Sequence, residues 1–169
     1  MPGVGEGTKP IVGVYIRLPV SDVDRLRDKP DVLSKFDHRV SLADGRGLDL
    51  GRAWEALAVL IDGGVRLPER GPTLGELPLP DCDARAAWSY VDAVRVPVVA
   101  EALAAVCRQF AKFYGGDGED TDPYMSDGRT AGYRGNRDYL VKKLELLAKH
   151  YGHAAVAGEA MVVRIGERL

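Results

Sequence analysis

The sequence predicts a single domain that mixes helices and strands, in the α/β (α+β) class. The chain has 169 residues, which is near the usual length of one domain. Hydrophobic residues make up 46% of it and charged residues 28%, so it has enough apolar material for a core and too much for a disordered chain. Short β-branched runs lie near both ends, and segments with helical periodicity lie between them.

The first ordered element is expected to be a strand. Residues 1–10 contain three Gly, two Pro and no periodic apolar positions, so we expect a flexible N-terminal tail followed by one domain over 11–169. The run Ile11–Ile16 is β-branched and aromatic, and it is apolar on both faces. Those properties are typical of a central strand.

Two short helices should follow this strand. Pro19 ends the strand, and Ser21 with the two aspartates after it places a capping hydroxyl and carboxylates where helix amides are unpaired. This helix is expected to end near Arg27. Residues 31–36 then predict a further short turn of helix after a proline.

The segment 48–64 predicts the clearest helix of the chain. Asp49 is the expected N-cap, and Gly63 with Gly64 supplies the C-terminal stop. One helical face carries Trp54, Leu57, Ala58 and Ile61. We therefore expect the tryptophan to be buried in the core.

The middle of the chain predicts a loop, a strand and a second long helix. Residues 65–80 contain four prolines, which favours an exposed loop with at most a fragment of strand. Residues 90–96 are a candidate strand, and Pro97 suits the first position of a helix that runs to about Tyr114. The apolar face of that helix holds Val99, Leu103, Val106, Phe110 and Phe113.

The last third predicts a polar loop, a third long helix and a final strand. The loop covers 117–135, and the helix covers 138–151 with Gly152 closing it. The apolar positions of the helix, Leu140, Leu144, Leu147 and Tyr151, are four, three and four residues apart. Residues 159–165 alternate as a strand does, with Met161, Val163 and Ile165 on one side and Val162 and Arg164 on the other.

The charge balance, the length of the apolar runs and the cysteine content indicate which partners and which compartment to expect. The formal net charge is −2, so nothing favours a nucleic-acid partner. No apolar run approaches the ~20 residues of a membrane span, so no membrane partner is expected. Cys82 and Cys107 have no CxxC spacing, and the first ten residues do not resemble a secretion signal. These features predict a cytoplasmic protein with two reduced thiols.

The segment around the tryptophan resembles a known family. Leu-Asp-Leu-Gly-Arg-Ala-Trp-Glu-Ala-Leu at 48–57 is similar to the Leu-Asp-Leu-x-Lys-Ala-Trp-x-x-Leu stretch of the YfbM-like family of bacterial proteins of unknown function. Asp49, Ala53, Trp54 and Leu57 match that stretch, while Arg52 stands where lysine is usual.

The second half of the chain follows the same family order. A helix ending in an aromatic pair at 113–114 precedes a loop with Asp-Pro-Tyr at 122–124, a further helix and an apolar last strand. The resemblance implies a single-domain three-layer sandwich with a mixed central sheet. It implies no settled activity.

Metal binding is not expected. Asp117, Glu119, Asp120, Asp122 and Asp127 are dense oxygen ligands, but no register of them matches a calcium loop, so a solvated acidic loop is the preferred interpretation. His150 and His153 are three residues apart without a third ligand in the sequence. Stabilisation of histidine cations by a helix C-terminus explains that pair more simply.

No catalytic or cofactor motif was identified. The sequence lacks a nucleophile elbow, a phosphate loop and a dinucleotide fingerprint, so no cofactor is expected. His38 lies beside Asp37, but adjacent residues seldom orient each other, so a surface turn is expected there. The acids on either side of Cys82 should raise the pKa of its thiol, and Cys107 should lie in the core.

The candidate binding site is a cluster of arginines and tyrosines between the last two long helices. Guanidinium groups bind carboxylates or phosphates in pairs of hydrogen bonds, and tyrosines add flat contact surface. The residues are Tyr124, Arg129, Tyr133, Arg134 and Arg137, with Asn136 and Tyr139 beside them. The alternative is that these arginines only compensate the acidic run just upstream.

These observations favour a small binding or regulatory domain without catalysis. It would recognise a protein partner or an anionic small molecule through the cluster. The alternative is a small-molecule metabolic enzyme, in a biosynthetic pathway for example, that clamps an anionic substrate with the same loop. An enzyme would need a concave pocket with a perturbed acid or base beside Arg129, Arg134 or Arg137.

Overall fold

A five-stranded sheet with helices on both faces organises the protein. The computed structural model describes residues 9–64, 71–114 and 137–169. The strands are β1 (Ile11–Leu18), β2 (Gly47–Gly51), β3 (Leu77–Pro78), β4 (Ala86–Val91) and β5 (Ala160–Glu167). The helices are α1 (Val20–Asp28), α2 (Pro30–Ser34), α3 (His38–Ala43), α4 (Ala53–Gly64), α5 (Gly71–Leu74), α6 (Val96–Tyr114) and α7 (Arg137–Ala157). Most of the expected tail, 1–10, lies outside the described residues.

The sheet has the order β2-β1-β5-β4-β3, and the α+β class is confirmed. Each described strand pair is antiparallel, so the expected mixed sheet is wrong for these strands. A single helix between two strands is the usual parallel crossover. Here the two long helices α6 and α7 lie between β4 and β5. The second helix reverses the chain direction once more, so β5 runs antiparallel to β4.

The two faces of the sheet pack against different helices and give three layers. Tyr15, Met161 and Val163 point to a core formed with α4, α6 and α7. Their strand neighbours Ile16 and Val162 point to a second core formed with α1 and α2. Successive strand residues point to opposite faces, so both faces are apolar, as the sequence of β1 predicts.

The segment before α4 is a strand, not the start of the helix. Asp49 lies in β2 and pairs with Val14 of β1. The Asp49 Oδ1 accepts a hydrogen bond from the Gly51 amide at 2.7 Å. The expected N-cap at Asp49 is therefore wrong, and α4 begins at Ala53. Leu-Asp-Leu is too short for alternation to distinguish a strand from a helix start, and its pairing partner lies far away in the sequence.

The inner face of α4 is as expected except for its tryptophan. Leu57 and Ile61 are fully buried, whereas Trp54 is half-buried and packs on the edge of the core. The Trp54 indole donates a hydrogen bond to the Ile11 carbonyl at 3.3 Å. The expected burial of Trp54 in the core interior is therefore corrected to a position at its rim.

The last helix is longer than the sequence predicts. Leu140, Leu144, Leu147 and Tyr151 are all buried, which confirms the predicted face. The helix does not end at Gly152 but continues to Ala157, and Gly158 with φ 67° follows it. A glycine in the left-handed region is the usual helix terminator, and Gly152 lacks that conformation.

Two buried tyrosines attach the short helix α5 to the sheet and to α7. The Tyr15 hydroxyl donates to the Thr73 carbonyl at 2.8 Å, and the Tyr151 hydroxyl donates to the Pro72 carbonyl at 2.8 Å. Burial raises the pKa of both phenols, so both stay protonated as donors. The described part of the proline-rich segment, 71–80, contains one helical turn and the predicted fragment of strand. Pro72 and Thr73 are buried, so the expected exposed loop is wrong for this part.

Candidate functional site

Most of the predicted arginine and tyrosine cluster falls outside the described residues. This holds for Tyr124, Arg129, Tyr133 and Arg134, and for the acidic run Asp117, Glu119, Asp120, Asp122 and Asp127. Arg137 is described as the first residue of α7. The start of α7 is therefore the part of the predicted site that the structure describes.

The start of α7 exposes an aromatic residue beside a cation. Leu140 and Leu144 face the core, which turns Tyr139 outward with 41% of its surface exposed. The Lys143 ammonium lies 5.4 Å from the centroid of the Tyr139 ring. Residues four apart are neighbours on one helix face, and a cation over a tyrosine ring is attracted to its π-electrons.

Positive charge continues along this helix. Lys142 and Lys149 are exposed, and Lys143 is half-buried. With Arg137 they make four basic residues in α7 against the two acids Asp138 and Glu145. The helix is thus basic in a chain whose net charge is −2. We call Tyr139, Lys142, Lys143 and Lys149 the α7 surface.

The two late histidines do not form a metal pair. His150 is buried, and its Nε2 donates to the Tyr15 carbonyl at 2.9 Å. Burial lowers its pKa to about 4, so the ring is neutral at neutral pH. The expected cation at a helix C-terminus is therefore wrong for His150. His153 is exposed.

The cysteines show no activation. Burial raises the pKa of the Cys82 thiol, and the charges of Asp83 and Asp81 raise it further, which confirms the predicted direction. Burial also raises the pKa of Cys107, and Glu145 adds to that shift. Cys107 is half-buried against the α6–α7 core and not fully inside it. A thiol with a raised pKa is a weak nucleophile at neutral pH.

The Asp37-His38-Arg39 segment is not a surface turn. Asp37 caps α3 by accepting from the Arg39 amide at 3.0 Å, and it also holds the Arg39 guanidinium through both carboxylate oxygens. These bonds lower the pKa of Asp37 to about 2. His38 is the first residue of α3 and is only 5% exposed. Asp37 therefore orients Arg39 and not the histidine.

A buried arginine of β5 acts on the pKa of His38. Arg164 is 1% exposed on β5, on the face that packs against α1 and α2. Its charge lowers the pKa of His38, after the larger effect of burial. The signal in the sequence was a charged residue at an alternating position in an otherwise apolar strand.

The described residues contain neither a metal site nor a membrane-spanning helix. Over 9–64, 71–114 and 137–169, no three His, Cys, Asp or Glu side chains converge as a metal site would require. Within the same ranges, no helix has both the length and the apolar content to cross a bilayer.

Known proteins share the sequence pattern and the fold of this chain. Residues 10–164 match the family pattern described as "Domain of unknown function (DUF1877)". The crystal structure of YfbM, a protein of unknown function from Escherichia coli, has a TM-score of 0.54 to this fold at 15% sequence identity. The match covers 91% of this chain and 99% of that one. No curated protein matches the sequence. The resemblance to the YfbM-like family is confirmed, and at this identity the structural match shows the fold alone.

Proposed function

The chain belongs to the DUF1877 family of unknown function, and from that premise we propose that it is a small cytoplasmic binding or regulatory domain. It recognises an anionic group, carried by a protein partner or by a small molecule. The contact surface is formed by Tyr124, Arg129, Tyr133, Arg134 and Arg137 together with the α7 surface.

The observation that carries this proposal is the contact between the exposed Tyr139 and the half-buried Lys143. An exposed tyrosine with an ammonium 5.4 Å from its ring centroid offers flat apolar contact and a positive charge at one place. Tyrosine is enriched at interfaces because it combines a rigid apolar body with a polar end. Lys142 and Lys149 extend the positive charge to an anionic partner.

The titratable residues favour binding over catalysis. His150 is held by a backbone carbonyl, and both thiols have a raised pKa. None of these groups is available as a base or a nucleophile at neutral pH. Among the three histidines, His153 is the exposed one on α7 and is the histidine that an enzyme built on this site could use.

The test compares two triple variants that remove equal charge. Arg129→Ala/Arg134→Ala/Arg137→Ala changes the proposed site, and Arg25→Ala/Arg27→Ala/Arg39→Ala changes exposed arginines on α1 and α3. Binding of a labelled polyglutamate peptide is measured for both by fluorescence anisotropy. We expect about a tenfold loss or more in the first variant and little change in the second. Equal losses would mean that only net charge matters and would contradict the proposed site.

A cellular assay separates binding from catalysis. Each variant is expressed in a strain that lacks the gene, and rescue of the deletion phenotype is scored together with the melting temperature. The site variant should fold and fail to rescue, while His153→Ala should rescue fully. Loss of rescue in His153→Ala alone, with its fold intact, would favour the enzyme.

A further inference from the structure

The outward face of α7 carries a regular row of exposed side chains. Its members are alternately three and four residues apart, a seven-residue repeat that keeps them on one stripe of a helix. They are Tyr139, Lys142, Leu146, Lys149, His153 and Val156, which we call the outer stripe. The opposite face of α7, with Leu144 and Leu147, is buried in the core. The outer stripe is therefore the part of this helix that is open to a partner.

Three apolar side chains on the outer stripe indicate a contact surface. The exposed fractions are 41% for Tyr139, 37% for Leu146 and 92% for Val156. Single exposed apolar residues are normal at a protein surface, whereas apolar residues grouped among polar ones are typical of interaction sites. The Lys143 ammonium, 5.4 Å from the centroid of the Tyr139 ring, favours one position of that ring.

The two lysines of the outer stripe have no carboxylate in contact with them. Asp138 lies four residues before Lys142, and Glu145 lies four residues before Lys149, a spacing that suits ion pairs on a helix. Neither lysine, however, has a carboxylate of the described residues within 4.0 Å. Both ammonium groups are therefore available to the acids of a partner.

We propose that the outer stripe binds an amphipathic α-helix of a protein partner, with acidic residues of that helix facing Lys142 and Lys149. This inference rests on the function proposed above and names the kind of partner for the same surface. Tyr139 and Leu146 are seven residues apart, which is about 10.5 Å along a helix. A second helix repeats its side chains at that distance, whereas a strand repeats them on one face every ~6.7 Å. A helix therefore matches both the apolar and the basic positions.

A second copy of this chain does not supply the matching charges. Helices that pair along a seven-residue repeat place the stripe of one opposite the stripe of the other. The outer stripe contains no acid, so no register of two copies puts a stripe carboxylate opposite Lys142 or Lys149. In a parallel pair in register, each of these lysines would face its own counterpart and be repelled by it. The partner is therefore a different protein.

A lipid surface also fits the outer stripe poorly. Helices that lie on membranes separate an apolar face from a basic one. Here Lys142 and Lys149 lie among the apolar residues of the stripe, so burying those residues in lipid would draw both ammonium groups into the apolar layer. Asp138 and Glu145 are exposed beside the stripe and would be repelled by anionic headgroups.

The first test measures binding of designed helical peptides to the intact protein by fluorescence anisotropy. Two labelled peptides of about three heptads carry leucines and glutamates spaced to face the outer stripe, one for each chain direction. A control peptide of the same composition scatters the leucines around the helix. We expect one of the two designed peptides to bind at least tenfold more tightly than the control. Equal binding of all three peptides would overturn the inference.

A charge reversal tests which residues face each other. Lys142→Glu/Lys149→Glu should weaken binding of the designed peptide at least tenfold, because acids then face acids. A peptide with lysine in place of each glutamate should bind this variant and not the wild type. Lys29→Glu/Lys35→Glu makes the same change of charge at the exposed ends of α2 and should leave binding unchanged. Loss of binding without rescue by the lysine peptide would contradict the proposed arrangement.

A second pair of variants tests the apolar contact. Leu146→Gln keeps a good helix former and removes apolar surface from the middle of the stripe, and it should weaken peptide binding about tenfold. Val40→Gln makes a similar change at an exposed position of α3 and should have no effect on binding. Equal losses in the two variants would contradict the outer stripe as the contact.

The outcomes separate this inference from the proposed function. If polyglutamate binds through the arginines while the designed peptides bind no better than the control peptide, the function stands and the helical partner is wrong. If neither polyglutamate nor a designed peptide binds, both are wrong. Sedimentation of the protein with phosphatidylglycerol vesicles, or a dimer that Leu146→Gln dissociates, would assign the outer stripe to a lipid surface or to a second copy and overturn the inference.

Discussion

Gly13 on β1 and Trp54 on α4 pack so closely that no side chain fits between them. A Cβ added to Gly13 would lie 2.7 Å from the Trp54 Cβ and 3.2 Å from the Ile165 Cδ1. The half-buried tryptophan thus rests on the backbone of the first strand. Trp54, which matches the family stretch, therefore contacts Gly13, the glycine inside β1.

Gly13→Ala is expected to destabilise the protein by about 1 to 3 kcal/mol, the usual cost of overpacking. The new methyl group must displace α4, because the atom it meets first is the Trp54 Cβ. Urea unfolding measures the change, and Trp54→Leu in the same chain should not recover it, because leucine keeps the Cβ and the Cγ that the methyl group meets. A Gly13→Ala variant as stable as the wild type would show that α4 moves freely over the sheet.

Gly152→Ala is expected to stabilise the protein by about 0.5 to 1 kcal/mol. Gly152 lies inside α7, where alanine is favoured over glycine, and a Cβ there would meet no atom within 4 Å. Gly158→Ala is the matched control, because Gly158 has φ 67° and alanine is strained there. Its melting temperature should fall while that of Gly152→Ala rises. A fall in both would contradict the uninterrupted helix.

Tyr15→Phe and Tyr151→Phe are each expected to cost about 1 to 2 kcal/mol. Each change removes one buried hydrogen bond and leaves a carbonyl of α5 without its donor. Hydrogen exchange of the amides near residues 73 and 74 should accelerate in both variants. Tyr139→Phe, at an exposed position, should change stability by less than about 0.5 kcal/mol. Equal effects of all three variants would refute the anchoring role.

Stability is expected to fall as pH drops from about 6.5 to about 4. The folded pKa of His150 is lowered to about 4, and an unfolded histidine titrates near 6.5. Between those values the unfolded chain binds more protons, so the contribution is complete above about pH 6.5 and is lost on acidification. It amounts to roughly 3 kcal/mol by that linkage.

Urea unfolding at several pH values measures this loss. His38, whose pKa is also lowered by burial, adds a loss in the same direction. His150→Gln isolates one contribution, because glutamine has no proton to gain. An unchanged pH dependence in His150→Gln would exclude His150 as its source.

The long helices and the two terminal strands were predictable because their apolar spacing is local information. Leu140, Leu144 and Leu147 identify the inner face of α7 from sequence alone. The strand at Asp49 was not predictable, because its existence depends on pairing with Val14. Pairing between distant segments leaves little trace in a short sequence window.

The buried polar residues were harder to predict from the sequence than the apolar faces. Histidine and arginine are seldom fully buried in proteins, so residue type alone does not predict that His38 and Arg164 are buried. The burial of His38 depends on how α3 packs against β1 and β2, which no spacing within α3 encodes. The alternation of β5, in contrast, does place Arg164 on an apolar face of the sheet. Of the predicted arginine and tyrosine cluster, the described part begins only at Arg137.

The central pairing of β1 with β5 has a consequence for biosynthesis. These strands are bonded from Ile11 with Glu167 to Leu18 with Ala160, although they are far apart in the sequence. During translation the apolar strand β1 leaves the ribosome long before its main partner is made. A nascent chain must therefore keep that strand shielded by α1 and β2 or by a chaperone until β5 emerges. Ribosome stalling before residue 160 would release a polypeptide whose strongest β-strand has no central partner and tends to aggregate.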